Sequence, residues 1–209
     1  TFNYLNSKEI IKDLSFKINR KNDFITICGE SGSGKTTLID IFIGLLNIKK
    51  GTFYIDSKEV RIQNCKNIFG YVPQTTFLFD DTIKNNILMN FDEKFSVSNH
   101  FFRDVLEKTQ LIDLVNSLED TIIGEDGAKI SGGQKQRIGI ARALVRKPKI
   151  LIIDEATNGL DKDTEKKIFE DLKVISKDLS IISISHNPLV WDYSNQLYEM
   201  KNKNLIKIK

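Results

Sequence analysis

The chain has 209 residues, 40% of them hydrophobic, enough to bury a substantial core as one globular unit, with room for a subdomain. Its 31 basic residues are nearly balanced by 28 acidic ones, a net charge of +3, so composition argues for no nucleic-acid partner. No apolar run approaches the roughly 18 residues that a membrane span needs, and Cys28 and Cys65 match no metal spacing and read as reduced structural thiols.

The chain opens on what reads as a strand, Thr1-Phe2-Asn3-Tyr4, with Tyr4 at a sheet edge, as a fragment cut from a longer polypeptide would. A turn at Asn6-Ser7-Lys8 follows, then Leu14-Ser15-Phe16-Lys17-Ile18, which alternates apolar and polar like a half-solvated strand. After a further turn over residues 19–23, Phe24-Ile25-Thr26-Ile27-Cys28 is a short apolar strand. Gly29-Glu30-Ser31-Gly32-Ser33-Gly34-Lys35-Thr36 comes next and fits G-x-x-x-x-G-K-[ST] at every fixed position. Residues 37–46, beginning at Thr37, carry Leu38, Ile41, Phe42 and Leu45 at helical spacing, so the order is strand, loop, helix. Such a loop cradles polyphosphate. Glycines let backbone N–H groups converge on the oxygens, and the open N–H groups of the following helix add positive potential. Lys35 supplies a point charge to the β/γ-phosphates and the Thr36 hydroxyl a ligand for Mg2+.

Gly51-Thr52-Phe53-Tyr54-Ile55-Asp56 and a segment over 60–62 suggest an antiparallel pair in a small β lobe. Gly70-Tyr71-Val72-Pro73-Gln74 ends a strand at proline and leaves Gln74 on an exit loop, within reach of a metal or water or simply as a loop residue. Residues 82–117 turn helical, with Ile83, Ile87 and Leu88, then Phe101, Phe102, Val105 and Leu106, then Leu111, Ile112, Leu114 and Val115; His100 among them reads as a surface residue. Ser131-Gly132-Gly133-Gln134 opens a helix running to about residue 146, and Ser131 with Gln134 has capping-box spacing. The two glycines are costly in a first turn, and close approach of a second phosphate to a helix N-terminus would account for them.

Ile150-Leu151-Ile152-Ile153-Asp154-Glu155 is an apolar run ended by two carboxylates, the pattern of a strand buried on both faces of a parallel sheet. Ligands gather at the carboxyl ends of such strands, where Asp154 would hold Mg2+ and Glu155 polarise a hydrolytic water. Asp161 precedes a helix over 163–176 and suits an N-cap. A β-rich run over 179–185 places His186 at the same ligand edge, where it can donate to a γ-phosphate. Residues 196–209 suggest a last hairpin with solvated lysines.

Taken together these pieces resemble the nucleotide-binding domain of the ATP-binding cassette (ABC) family over almost the whole chain. GESGSGKT is similar to the Walker A loop, YVPQ to the Q-loop, ISGGQ to the signature, ILIIDE to the Walker B strand, NGLD to the D-loop and ISISH to the switch-histidine strand; Tyr4 matches the aromatic that stacks on adenine. The segments LFDDTIKNNI at 78–87 and TIIGEDG at 121–127 resemble the exporter type. Ile130 stands where Leu is usual and Asn158-Gly159 where Ser-Ala is common; neither change removes a catalytic group.

The resemblance implies an α/β fold: a P-loop NTPase core with a mainly parallel sheet, an antiparallel β subdomain and an inserted α-helical subdomain. Residues 1–74 and 146–209 would form the β and core lobe, and 75–145 the helical lobe carrying the signature. It implies an ATPase using ATP and Mg2+, with Gln74, Glu155 and His186 catalytic, Thr36, Gln74 and Asp154 on the metal, and Tyr4, residues 29–37, residues 131–134 and Asp161 binding nucleotide. The implied partners are a second copy, which sandwiches two ATP molecules head to tail, and an upstream transmembrane domain contacted through Gln74 and residues 121–127. The expected place is the cytoplasmic face of a membrane, with the cell inner membrane favoured. A soluble ABC ATPase and a non-hydrolysing regulatory module are the alternatives.

Overall fold

The structure is a computed structural model; it describes residues 1–209 except 5–8, 19–20, 90–95, 119–120 and 158. Its centre is β1 (Phe24–Cys28), every residue of which is buried. A strand apolar on both faces is stable only between two layers. Helix α1 (Lys35–Phe42) follows, then the hairpin β2 (Phe53–Ile55) and β3 (Lys58–Val60), a 3-10 stretch over Ile62–Ile68, and β4 (Phe69–Val72). Helices α2 (Ile83–Leu88), α3 (Asn99–Lys108), α4 (Ile112–Ser117) and α5 (Gly132–Leu144) come before β5 (Ile150–Asp154). The chain closes with α6 (Lys162–Ile175), β6 (Ser180–Ile184), α7 (Pro188–Tyr193), β7 (Gln196–Lys201) and β8 (Asn204–Lys207).

The main sheet has the order β4-β5-β6-β1-β7-β8, parallel except for the antiparallel β7–β8 pair. This is the mainly parallel α/β arrangement that the motifs imply. Alternation along the strands divides the interior into two layers. Leu151, Ile153 and Ile181 join Phe24, Val105, Leu111, Ile138 and Phe169 on one face. Ile152, Ile182, Ile184, Ile25 and Ile27 join Leu38, Ile39 and Met200 on the other. The apolar stripes of α3 and α5 therefore share a core with the sheet.

The N-terminal strands differ from expectation. Residues 1–4 contribute only an isolated bridge, Phe2 to Ile11, and residues 14–18 form no ladder. Their alternation nevertheless has a physical basis, because Leu14, Phe16 and Ile18 pack part-buried on the second core layer. The antiparallel ladder of the small sheet joins only β2 and β3. The small hairpin is thus Phe53–Ile55 with Lys58–Val60, and Ile62 starts the 3-10 stretch instead of ending a strand. The turn expected at Asn6-Ser7-Lys8 and residue Asn158 lie outside the described residues.

Candidate nucleotide site

Because β1, β4, β5 and β6 run parallel, their carboxyl ends open on one edge, and the residues following them converge there. After β1, Gly29 has φ 138°, and a Cβ on it would lie 2.6 Å from the Met200 carbonyl oxygen. Gly34, at the N-cap of α1, has φ 106° and would bring a Cβ to 3.0 Å from Ile10 Cγ2. Only glycine fits these two places. No side chain caps α1, and no acid lies in its first turn. Its first N–H groups are thus left for a ligand.

Lys35 is buried, and its Nζ donates to the carbonyls of Gly29 at 2.7 Å and Glu30 at 2.9 Å. Burial pulls its pKa below the ordinary lysine range, opposed by the nearby charges of Glu155 and Asp154. The Ser33 hydroxyl oxygen is buried in the same loop without a hydrogen-bond partner among the described residues. An orphaned hydroxyl, a buried ammonium and uncapped N–H groups suit a polyphosphate, so the loop fits the group that its sequence implies.

Asp154 closes β5, and Tyr71 of β4 donates its hydroxyl to Asp154 Oδ2 at 3.1 Å. Burial raises the Asp154 carboxyl above its usual range, with Glu155 and Asp40 adding to the rise, while Tyr71 and Lys35 oppose it. The Tyr71 phenol is likewise pushed well above its ordinary value, by burial first and then by Asp154. Glu155 turns the chain at φ 48° and donates its N–H to the Ile184 carbonyl at 3.0 Å. Gln74 Nε2 lies 3.4 Å from its Oε2, and His186 Nε2 lies 3.1 Å from its Oε1. Gln74, Glu155 and His186 thus meet, although they come from three separate segments. Tyr4 reaches the same region outside any strand, its hydroxyl 3.2 Å from Thr37 Oγ1 and its ring edge-on to Phe2. Glu30 and Ser31 lie exposed in the loop, and Thr36 is exposed in the first turn of α1.

Ser131 and Gln134 do form a capping box: Ser131 Oγ accepts from the Gln134 N–H at 3.3 Å, and Gln134 Oε1 accepts from the Ser131 N–H at 2.9 Å. Asp161 caps α6 by accepting from the Thr164 N–H at 3.0 Å. The glycines have a reason within the chain that the sequence did not reveal. A Cβ on Gly133 would lie 2.5 Å from Thr164 Cγ2, and one on Gly132 would lie 3.1 Å from Leu160 Cδ2. Among the described residues, no hydrogen bond or ion pair joins residues 131–134 to residues 29–37. Sequence reasoning also gave no role to Tyr71, whose signal was a polar ring near the end of an apolar strand.

With this geometry in view, a family model described as ABC transporter matches residues 11–158. The chain belongs to the ABC transporter family. Among relatives of this ABC chain, a Rickettsia typhi protein named as an export ATP-binding/permease protein is 41% identical over 192 residues, covering 89% of this chain and 33% of that protein. The ATP-dependent lipid A-core flippase of Vibrio parahaemolyticus is 36% identical and again matched over 89% of this chain and 33% of its own length. A solved bacterial Atm1-family ABC exporter with ATP bound superposes with TM-score 0.82 at 31% identity, covering 98% of this chain and 36% of that one. The chain thus spans about a third of the length of these relatives. No helix among the described residues is long and apolar enough to cross a membrane.

Proposed function

We propose that this ABC chain is the ATP-hydrolysing part of an exporter, working on the cytoplasmic face of a membrane. The observation that carries the reading is Glu155 held between Gln74 and His186 at the strand edge beside the Lys35 loop. Residues 29–37 would hold ATP with Tyr4 beside the base, and Thr36, Gln74 and Asp154 would hold Mg2+. Bound ATP supplies the γ-phosphoanhydride bond that is broken. Glu155 accepts the proton of the attacking water, Gln74 and His186 keep its carboxylate aimed, and Lys35 balances charge at the β/γ-phosphates. A non-hydrolysing module would be expected to lack Glu155 or His186; here both are present and adjacent.

Residues 131–134 would serve a second copy of the chain, since among the described residues no hydrogen bond or ion pair joins their helix N-terminus to the loop at 29–37. The lobes at 1–74 with 146–209, and at 75–145, would turn on each other as two copies close around ATP. The transmembrane partner would be contacted through Gln74 and the face formed by residues 121–127. Support for that face is the Ile123 N–H bonded to the Asp81 carbonyl at 3.1 Å, with Phe77, Phe79 and Ile122 exposed around it. Glu155→Gln tests the reading. It should bind ATP like the wild type while turnover falls about a hundredfold or more, because an amide cannot take the proton. Substantial hydrolysis by the purified variant would remove Glu155 as the base.

A further inference from the structure

Tyr71 belongs to this edge although the phosphate loop does not require it. Register pairs Tyr71 with Ile152 across β4 and β5, which makes Tyr71 and Asp154 diagonal neighbours on one face of the sheet. The carboxylate can only accept, so the 3.1 Å contact is a phenol donating to Asp154 Oδ2. Asp154 stands among like charges, with Glu155 beside it and Asp40 of α1 close enough to act on it, and Lys35 is the cation that offsets them. A carboxylate so placed turns easily about its terminal torsion, where rotamer wells are broad. Groups that fix a ligating carboxylate commonly contribute to metal affinity without touching the ion.

We propose that Tyr71 is a positioning residue for the divalent cation, its hydroxyl fixing the Asp154 carboxylate in the orientation that accepts Mg2+. The inference rests on the reading of Asp154 as a metal ligand. Phenylalanine is the discriminating replacement, because it keeps the ring and its packing and removes only the O–H. Tyr54, exposed on the β2–β3 hairpin, provides a matched control for losing a phenol hydroxyl.

The test is the affinity of a fluorescent ATP analogue for wild type, Tyr71→Phe and Tyr54→Phe, each measured in Mg2+ and in EDTA, with a thermal melt of each protein. Tyr71→Phe should bind the analogue in EDTA like the wild type and lose about three- to tenfold of the gain that Mg2+ confers, the size of one hydrogen bond to a carboxylate that water partly replaces. Tyr54→Phe should match the wild type in both conditions. An unchanged Mg2+ gain in Tyr71→Phe overturns the inference, and so does an equal loss in EDTA and Mg2+, which would mark a general fault in the loop. A wild type that binds the analogue equally with and without Mg2+ removes the metal reading and the role of Tyr71 with it. A wild type that binds no analogue removes the nucleotide site itself.

Discussion

Glu155 is held at φ 48°, a backbone region disfavoured for any residue with a Cβ, and its two carboxylate oxygens face Gln74 and His186. Such an arrangement persists only where the surroundings impose it, and here β5 and β6 fix the turn through the Glu155 N–H on Ile184. Lys35 is the second decisive residue. Its ammonium is anchored by two carbonyls of the phosphate loop itself. Lys35→Ala is expected to weaken ATP binding roughly ten- to a hundredfold, the range of one charge-assisted hydrogen bond. An unchanged ATP titration would contradict the cradle. Much of this was readable residue by residue, because G-x-x-x-x-G-K-[ST] and a strand ending in two acids each fix both a residue type and its place. Tyr71 was not readable, since its role depends on the register between strands whose sequences lie far apart.

At the scale of elements, the close approach of α5 to α6 is the least expected feature. Gly133 lies where Thr164 leaves no space for a Cβ, so the glycine is needed for packing whatever else it serves. Gly133→Ala should lower stability by about 1 to 3 kcal/mol, as overpacking does, measured by denaturant unfolding. Adding Thr164→Ser, which removes the offending methyl group, should restore most of that loss; a double variant as unstable as Gly133→Ala alone would show that the contact is not the cause. The elements that sequence reasoning placed well, β1, β5, α5 and α6, carry strong period, caps or a buried run. Those it misplaced are the segment over 60–62 and the N-terminus, where Leu14, Phe16 and Ile18 alternate as a strand would but form no ladder. Alternation reports which side chains are covered, and a ladder requires a partner that the local sequence does not name.

At the scale of the whole molecule, one edge of the sheet gathers the phosphate loop, Gln74, Asp154, Glu155 and His186, while the capped N-terminus of α5 joins none of them by hydrogen bond or ion pair among the described residues. On the proposed function, that helix terminus would serve a phosphate on another copy, so that nucleotide would link two chains and hydrolysis would release them. Differential affinity of ATP for the proposed paired state would then drive movement of the exposed face around Phe77, Phe79 and Ile122. The direct test is the solution mass of Glu155→Gln with and without saturating Mg-ATP. The mass should shift from monomer to dimer when ATP is added and return when ATP is removed. A variant that binds ATP to saturation and stays monomeric would contradict the pairing of two chains around nucleotide.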